Sequence, residues 1–172
     1  MSAAGSTIVT VPAAVPEPFR RCTAIAADAW CALLGSRLRS LVLFGSVARG
    51  ASTARSDVDL LVVAAGFPRS LAERRRPLLA AWSRARARHA LPAVDWNLVT
   101  KTPDEARFHS PLYLDIVEDG ILLVDREAFF RTVLDGMRVR LREFGSRRVF
   151  LDDGSWYWDL KPDYRFGEVV EI

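Results

Sequence analysis

Two short apolar runs, each abruptly bounded, constrain the fold most. Leu41-Val42-Leu43-Phe44 stops at Gly45, and Val58 to Val63 is entered through Asp57. Neither run alternates apolar with polar residues, so both read as strands covered on both faces. Between them lies Ser46 to Ser56, rich in small residues. That stretch has room for one turn of helix and a return loop but not for a crossover helix. The two strands are therefore expected to run antiparallel.

The remaining chain supplies helices and shorter strands. Phe19 to Leu38 suits a helix with Ile25, Trp30, Leu33 and Leu34 toward the core. Leu71 to Ala90 reads as helical, with Pro77 either starting it or kinking it, and with Leu78, Leu79, Trp82 and Ala85 inward. Val94 to Thr100 alternates and forms a third strand, Val94, Trp96 and Leu98 on one side and Asp95 and Asn97 on the other. Short helices are expected between Pro103 and Glu118, a brief strand at Ile121 to Val124, and a helix from Glu127 to Phe144 ended by Gly145. The expectation is an α/β (α+β) fold: one domain over residues 19–145 with a short, mixed, largely antiparallel sheet flanked by helices. Residues 1–18, dotted with Pro12, Pro16 and Pro18, read as a mobile arm or an irregular lead-in. Residues 146–172, with Trp156-Tyr157-Trp158, read as an aromatic tail docked on the domain.

Composition removes several function classes. The chain has 172 residues, half of them hydrophobic, enough for one domain with its own core. Its only cysteines are Cys22 and Cys31 and its only histidines His89 and His109, which excludes a disulfide scaffold and argues against a Cys/His zinc site. A net charge of +3 is too weak a field for a dedicated duplex-binding protein, so direct nucleic-acid binding is not expected. The longest apolar stretch, near Leu60 to Phe67, falls far short of the roughly 20 residues that span a bilayer. Met1 to Thr10 lacks the pattern of a secretory signal. The expectation is a soluble, cytoplasmic protein; nothing in the sequence sets its oligomeric state.

The chemistry concentrates in LVLFGSVARGASTARSDVDLLVV, Leu41 to Val63. A glycine after a buried strand lets a phosphate approach the backbone. Free N–H groups at a helical turn, with the Ser46 hydroxyl, suit an anion. Asp57 and Asp59 are two apart at a strand start, so both carboxylates face the same way. Close carboxylates repel and raise each other's pKa, a conflict that a cation between them removes. Oxygen ligands suit Mg²⁺ or Mn²⁺, which share their coordination sphere with substrate phosphates. A nucleoside triphosphate carrying Mg²⁺ would use both features. Asp95, if its strand lies beside Asp57 and Asp59, could join them around two ions about 3.5–4 Å apart, the arrangement for in-line phosphoryl displacement. On the plain alternative, Asp95 is an exposed strand residue like Asn97, and Arg49 and Arg55 are surface arginines. Ser56 shapes the turn before Asp57.

Gly45-Ser46, ten intervening residues and Asp57-Val58-Asp59 resemble the nucleotidyltransferase superfamily that includes DNA polymerase β. The short chain and the GS…SDVDLLV pattern are similar to its minimal (MNT-type) bacterial and archaeal members. The resemblance implies two metal ions and transfer of a nucleoside monophosphate, AMP from ATP, to a hydroxyl with release of pyrophosphate. It implies that Gly45 and Ser46 hold the triphosphate, with Arg49 meeting phosphate oxygens. Asp57 and Asp59 would ligate the metals, and Asp95 would complete the metal site as ligand or base. Some minimal members act as antitoxins that add AMP to a HEPN-domain partner, which is the leading context. Modification of a small hydroxyl compound such as an aminoglycoside, and neutralisation of a partner by contact alone, are the rival readings.

Overall fold

In the structure, a computed structural model that describes residues 9–169, the two apolar runs are adjacent antiparallel strands. β1 (Leu38–Phe44) and β2 (Val58–Ala64) are buried along nearly their whole length, as continuous apolar runs require. They pair from Leu38↔Ala64 to Phe44↔Asp59. The segment between them makes one helical turn, α2 (Gly45–Ala48), and returns through a loop. The loop closes on Ser56, whose hydroxyl accepts from the Thr53 N–H at 2.9 Å.

β3 (Trp96–Lys101) pairs parallel with β2, and β4 (Ile121–Asp125) pairs antiparallel with β1. The order across the sheet is β3-β2-β1-β4. The parallel step needs a crossover, and α3 (Leu71–Arg88) provides it, running unbroken through Pro77.

Period-two geometry divides the strand residues between two cores. Leu41, Leu43, Leu60, Val62 and Leu98 meet α1 (Phe19–Leu34) and α3 on one face. There the Trp30 indole donates to the Leu78 carbonyl at 2.8 Å, and Trp30 and Trp82 both pack edge-on against Trp96. On the other face Val42, Phe44, Leu61 and Val63 meet α5 (Leu112–Asp119) and α6 (Phe129–Glu143). The Asp125 carboxylate caps α6, accepting from the N–H groups of Phe130 and Arg131 at 2.8 and 3.0 Å. Between β3 and α5, the short helix α4 (Pro103–Arg107) begins with a capping box of Thr102 and Glu105.

Three expectations are corrected. The mobile arm does not extend to residue 18: Val9, Val11 and Val15 are buried in the α1–α3 core, and the Val9 N–H donates to Asp28 at 3.0 Å. Pro12 between these valines, with Pro16 and Pro18 after them, keeps the segment irregular without keeping it free; residues 1–8 lie outside the described residues. Leu79 points outward at 41% exposure, because Leu78, Trp82 and Ala85 already fill the inward stripe of α3. The third strand starts at Trp96, so Asp95 stands just before it.

The C-terminal segment is more regular than its composition suggests. β5 (Arg147–Phe150) and β6 (Trp156–Asp159) form an antiparallel hairpin. Trp158 and Leu160 pack against the α5–α6 core, while Phe150, Tyr157 and Phe166 remain exposed. Residues 170–172 of the expected tail lie outside the described residues. No helix among the described residues is long and apolar enough to cross a membrane.

Candidate active site

The end of β1, the start of β2 and the start of β3 meet at one end of the sheet. Gly45 turns the chain out of β1 with φ +74°, a conformation that favours glycine. Its missing side chain matters as much as its backbone. A Cβ at this position would lie 2.9 Å from Asp59 Cγ and closer still to Asp59 Oδ2. The Asp59 carboxylate therefore occupies the space a side chain would take, directly against the turn that carries Ser46.

Asp59 is half-buried and Asp57 exposed. Both lie on the face that Leu61 and Val63 continue into the α5–α6 core. The Asn97 amide donates to Asp59 Oδ1 at 2.8 Å, across the Asp59↔Asn97 register of the parallel pair. Burial pushes the Asp59 carboxyl above its ordinary pKa. The Asn97 hydrogen bond opposes that rise, the Asp57 charge adds to it, and the Arg49 charge opposes it. Asp59 thus senses both a neighbouring carboxylate and a neighbouring guanidinium.

Asp95 sits one register step before Trp96, beside Asp57, and its carbonyl accepts from the Val58 N–H at 2.8 Å. Its side chain is exposed. Among the described residues no three His, Cys, Asp or Glu side chains gather closely enough to hold a metal ion. The expected three-carboxylate cluster is therefore not assembled by the protein alone: Asp57 and Asp59 act on each other, and Asp95 flanks them.

Arg49 ends α2. Its guanidinium lies 4.7 Å from the centre of the Trp156 ring and 3.9 Å from Asp119 Oδ2. Arg148 reaches the same Asp119 oxygen at 2.9 Å and lies over both Trp156 and Trp158. The C-terminal hairpin thus reaches the candidate site, a relationship that sequence reading missed. The available signal was the Asp153-Gly154 turn between the Arg147-Arg148 pair and Trp156-Tyr157-Trp158. Asn97, read only as an exposed strand residue, was missed as well.

The donor set suits a hard divalent ion. The two acidic side chains supply only oxygen, they repel each other, and the glycine opposite lets the Asp59 carboxylate lie directly against the turn that carries Ser46.

Comparison with known proteins identifies relatives of the chain. A Methanocaldococcus jannaschii protein, provisionally named a protein adenylyltransferase, is 28% identical over 119 residues, covering 69% of this chain and 79% of that protein. Among solved structures, a toxin–antitoxin complex with AMP-PNP is similar at 20% identity and a TM-score of 0.45, over 70% of this chain and 90% of that one. A provisionally named nucleotidyltransferase from Sulfolobus solfataricus is similar at 21% identity and a TM-score of 0.38, over 62% of this chain and 83% of that one. Overlaps of this size carry no positional correspondence. The family model described as the nucleotidyltransferase domain matches residues 25–123, more than half of the chain and both aspartates of the pair. The chain belongs to the nucleotidyltransferase domain family, whose enzymes transfer nucleotidyl groups.

Proposed function

We propose that the protein transfers AMP from ATP to a hydroxyl of a protein partner, releasing pyrophosphate, in a Mg²⁺-dependent reaction. The observation that carries this reading is the fit of the Asp59 carboxylate against the side-chain-less Gly45, with Asp57 beside it. Asp57 and Asp59 would hold Mg²⁺, or Mn²⁺, as a pair of ions. When bound, the metal neutralises charge developing on the phosphates and lowers the pKa of the acceptor hydroxyl.

The remaining work falls to the chain. Gly45 lets the triphosphate approach the backbone, and the Ser46 hydroxyl and Arg49 guanidinium meet its oxygens. Asn97 holds Asp59 in one orientation. Asp95, exposed at the flank, would receive the acceptor hydroxyl's proton or add a ligand oxygen.

A protein acceptor is supported by the name of the M. jannaschii relative, which covers 69% of the chain. The resemblance of the GS…SDVDLLV pattern to minimal nucleotidyltransferases adds a context, the antitoxin of a HEPN-domain toxin. An ATP donor implies work in the cytoplasm.

The test is to incubate the protein with α-labelled ATP and Mg²⁺, with and without the product of the neighbouring gene. Label on that product supports the proposal. Label only on a small hydroxyl compound would replace the acceptor. No transfer by the wild type, together with full neutralisation of the partner by Asp57→Ala, would replace catalysis by contact alone.

A further inference from the structure

Two guanidiniums share one carboxylate beside the candidate site. Asp119 Oδ2 lies 2.9 Å from Arg148 and 3.9 Å from Arg49. The shorter distance is a hydrogen bond; the longer one is not. Arg148 therefore engages Asp119 far more closely than Arg49 does, and Arg49 keeps its N–H donors for another anion.

The surroundings reinforce this division. Arg148 is 13% exposed in its side chain and is clasped between Trp156 and Trp158 at 5.2 and 5.6 Å. Arg49 is 24% exposed and lies on the Trp156 ring at 4.7 Å. An aromatic face orients a guanidinium without consuming its N–H donors. Asp119 itself is the last residue of α5, where the helix dipole disfavours a negative side chain. The helix gains nothing from an acid there; the two arginines do.

We propose that Arg148 is a positioning residue for nucleotide binding: by occupying Asp119 it keeps that carboxylate off Arg49, leaving the Arg49 guanidinium, seated on Trp156, open toward phosphate at the Gly45–Ser46 turn. The C-terminal hairpin thereby becomes part of the nucleotide site, contributing no phosphate contact of its own. The inference rests on Arg49 as a phosphate contact, as proposed above.

The experiment is calorimetric titration of the full chain with α,β-methylene-ATP and Mg²⁺. Arg49→Gln tests the underlying reading and is expected to bind roughly tenfold more weakly, the loss of a charge-assisted hydrogen bond. Arg148→Met lets Asp119 close on Arg49 and is expected to weaken binding to a similar degree. The double variant Arg148→Met/Asp119→Ala removes the competing carboxylate and leaves no orphaned charge, so affinity returns close to wild type. A hairpin anchor with no electrostatic role would not be rescued by a second substitution.

Unchanged affinity in Arg49→Gln overturns the Arg49 contact itself. A weakened Arg49→Gln beside an unchanged Arg148→Met overturns only the positioning role, as does equal weakness of the single and double Arg148 variants. Should Arg148→Met fail to fold, Arg148→Gln read beside Arg148→Gln/Asp119→Ala decides in its place: weakened binding that the second substitution restores supports the proposal, and binding that is unchanged, or weakened and not restored, overturns it.

Discussion

The Asn97 amide donates to the Asp59 carboxylate at 2.8 Å, from one strand of a parallel pair to the next. This bond holds a half-buried acid in its ionised form against two influences that favour the neutral one, burial and the Asp57 charge. Asn97→Ala removes that support. In metal-free protein the Asp59 carboxyl is then expected to titrate at higher pH than in wild type, followed by carboxyl-carbon NMR. A downward or absent shift would contradict the account.

Gly45→Ala is expected to remove nucleotide binding while costing modest stability. An L residue at φ +74° carries a strain of about 1–2 kcal/mol. The added methyl group also displaces the Asp59 side chain. Thermal melting and titration with α,β-methylene-ATP check the two effects separately; normal affinity in a folded variant would contradict the account.

Asp59→Asn should stabilise the metal-free protein at neutral pH. A carboxyl whose folded pKa is raised binds its proton more tightly in the native state, so the fold loses stability as pH rises through that pKa. Asparagine removes the penalty and keeps the shape. A rise in Tm is expected at pH 7, shrinking as the pH is lowered. A fall in Tm at pH 7 would show that the acid is not held at a cost.

Far from the site, Arg74 is buried at 4% exposure and makes two bonds to Glu105, at 2.6 and 2.8 Å, plus one to the Thr100 carbonyl. It ties the crossover helix α3 to the capping box of α4. The Arg74 hydrogen bonds pull the Glu105 pKa down to about 2. A lowered acid contributes stability that is complete above its unfolded pKa and disappears as pH falls through the folded one. Glu105→Gln is expected to cost about 1–3 kcal/mol at pH 7, since a buried guanidinium loses its charged partner. Denaturation from pH 7 down to pH 2 should show the two proteins converging; a constant difference would assign the loss to packing.

Local pattern revealed much of this. Continuous apolar runs marked β1 and β2, and the short link between them dictated their antiparallel pairing. The Gly-Ser and Asp-x-Asp pieces lie within one hairpin, so chain connectivity alone brings them together. Features that depend on long-range docking were not legible in the same way. Arg148 and Trp156 meet Arg49 only because Trp158 and Leu160 seat the hairpin on the α5–α6 core. Asn97 became informative only once the parallel register set it opposite Asp59. Val9, Val11 and Val15 were passed over because prolines masked their apolar spacing, although burial, not regular structure, is what holds them. The Thr102–Glu105 capping box was readable from spacing and went unread.

The central claim is that Asp57 and Asp59 bind a metal-carrying triphosphate. Its most direct measurement is the affinity of the Asp57→Asn/Asp59→Asn double variant for α,β-methylene-ATP with and without Mg²⁺, beside a melting curve showing that the variant is folded. The account predicts that wild type binds far more tightly with Mg²⁺ than without it, and that the variant loses this enhancement. A folded variant that keeps the full Mg²⁺-dependent affinity would contradict it.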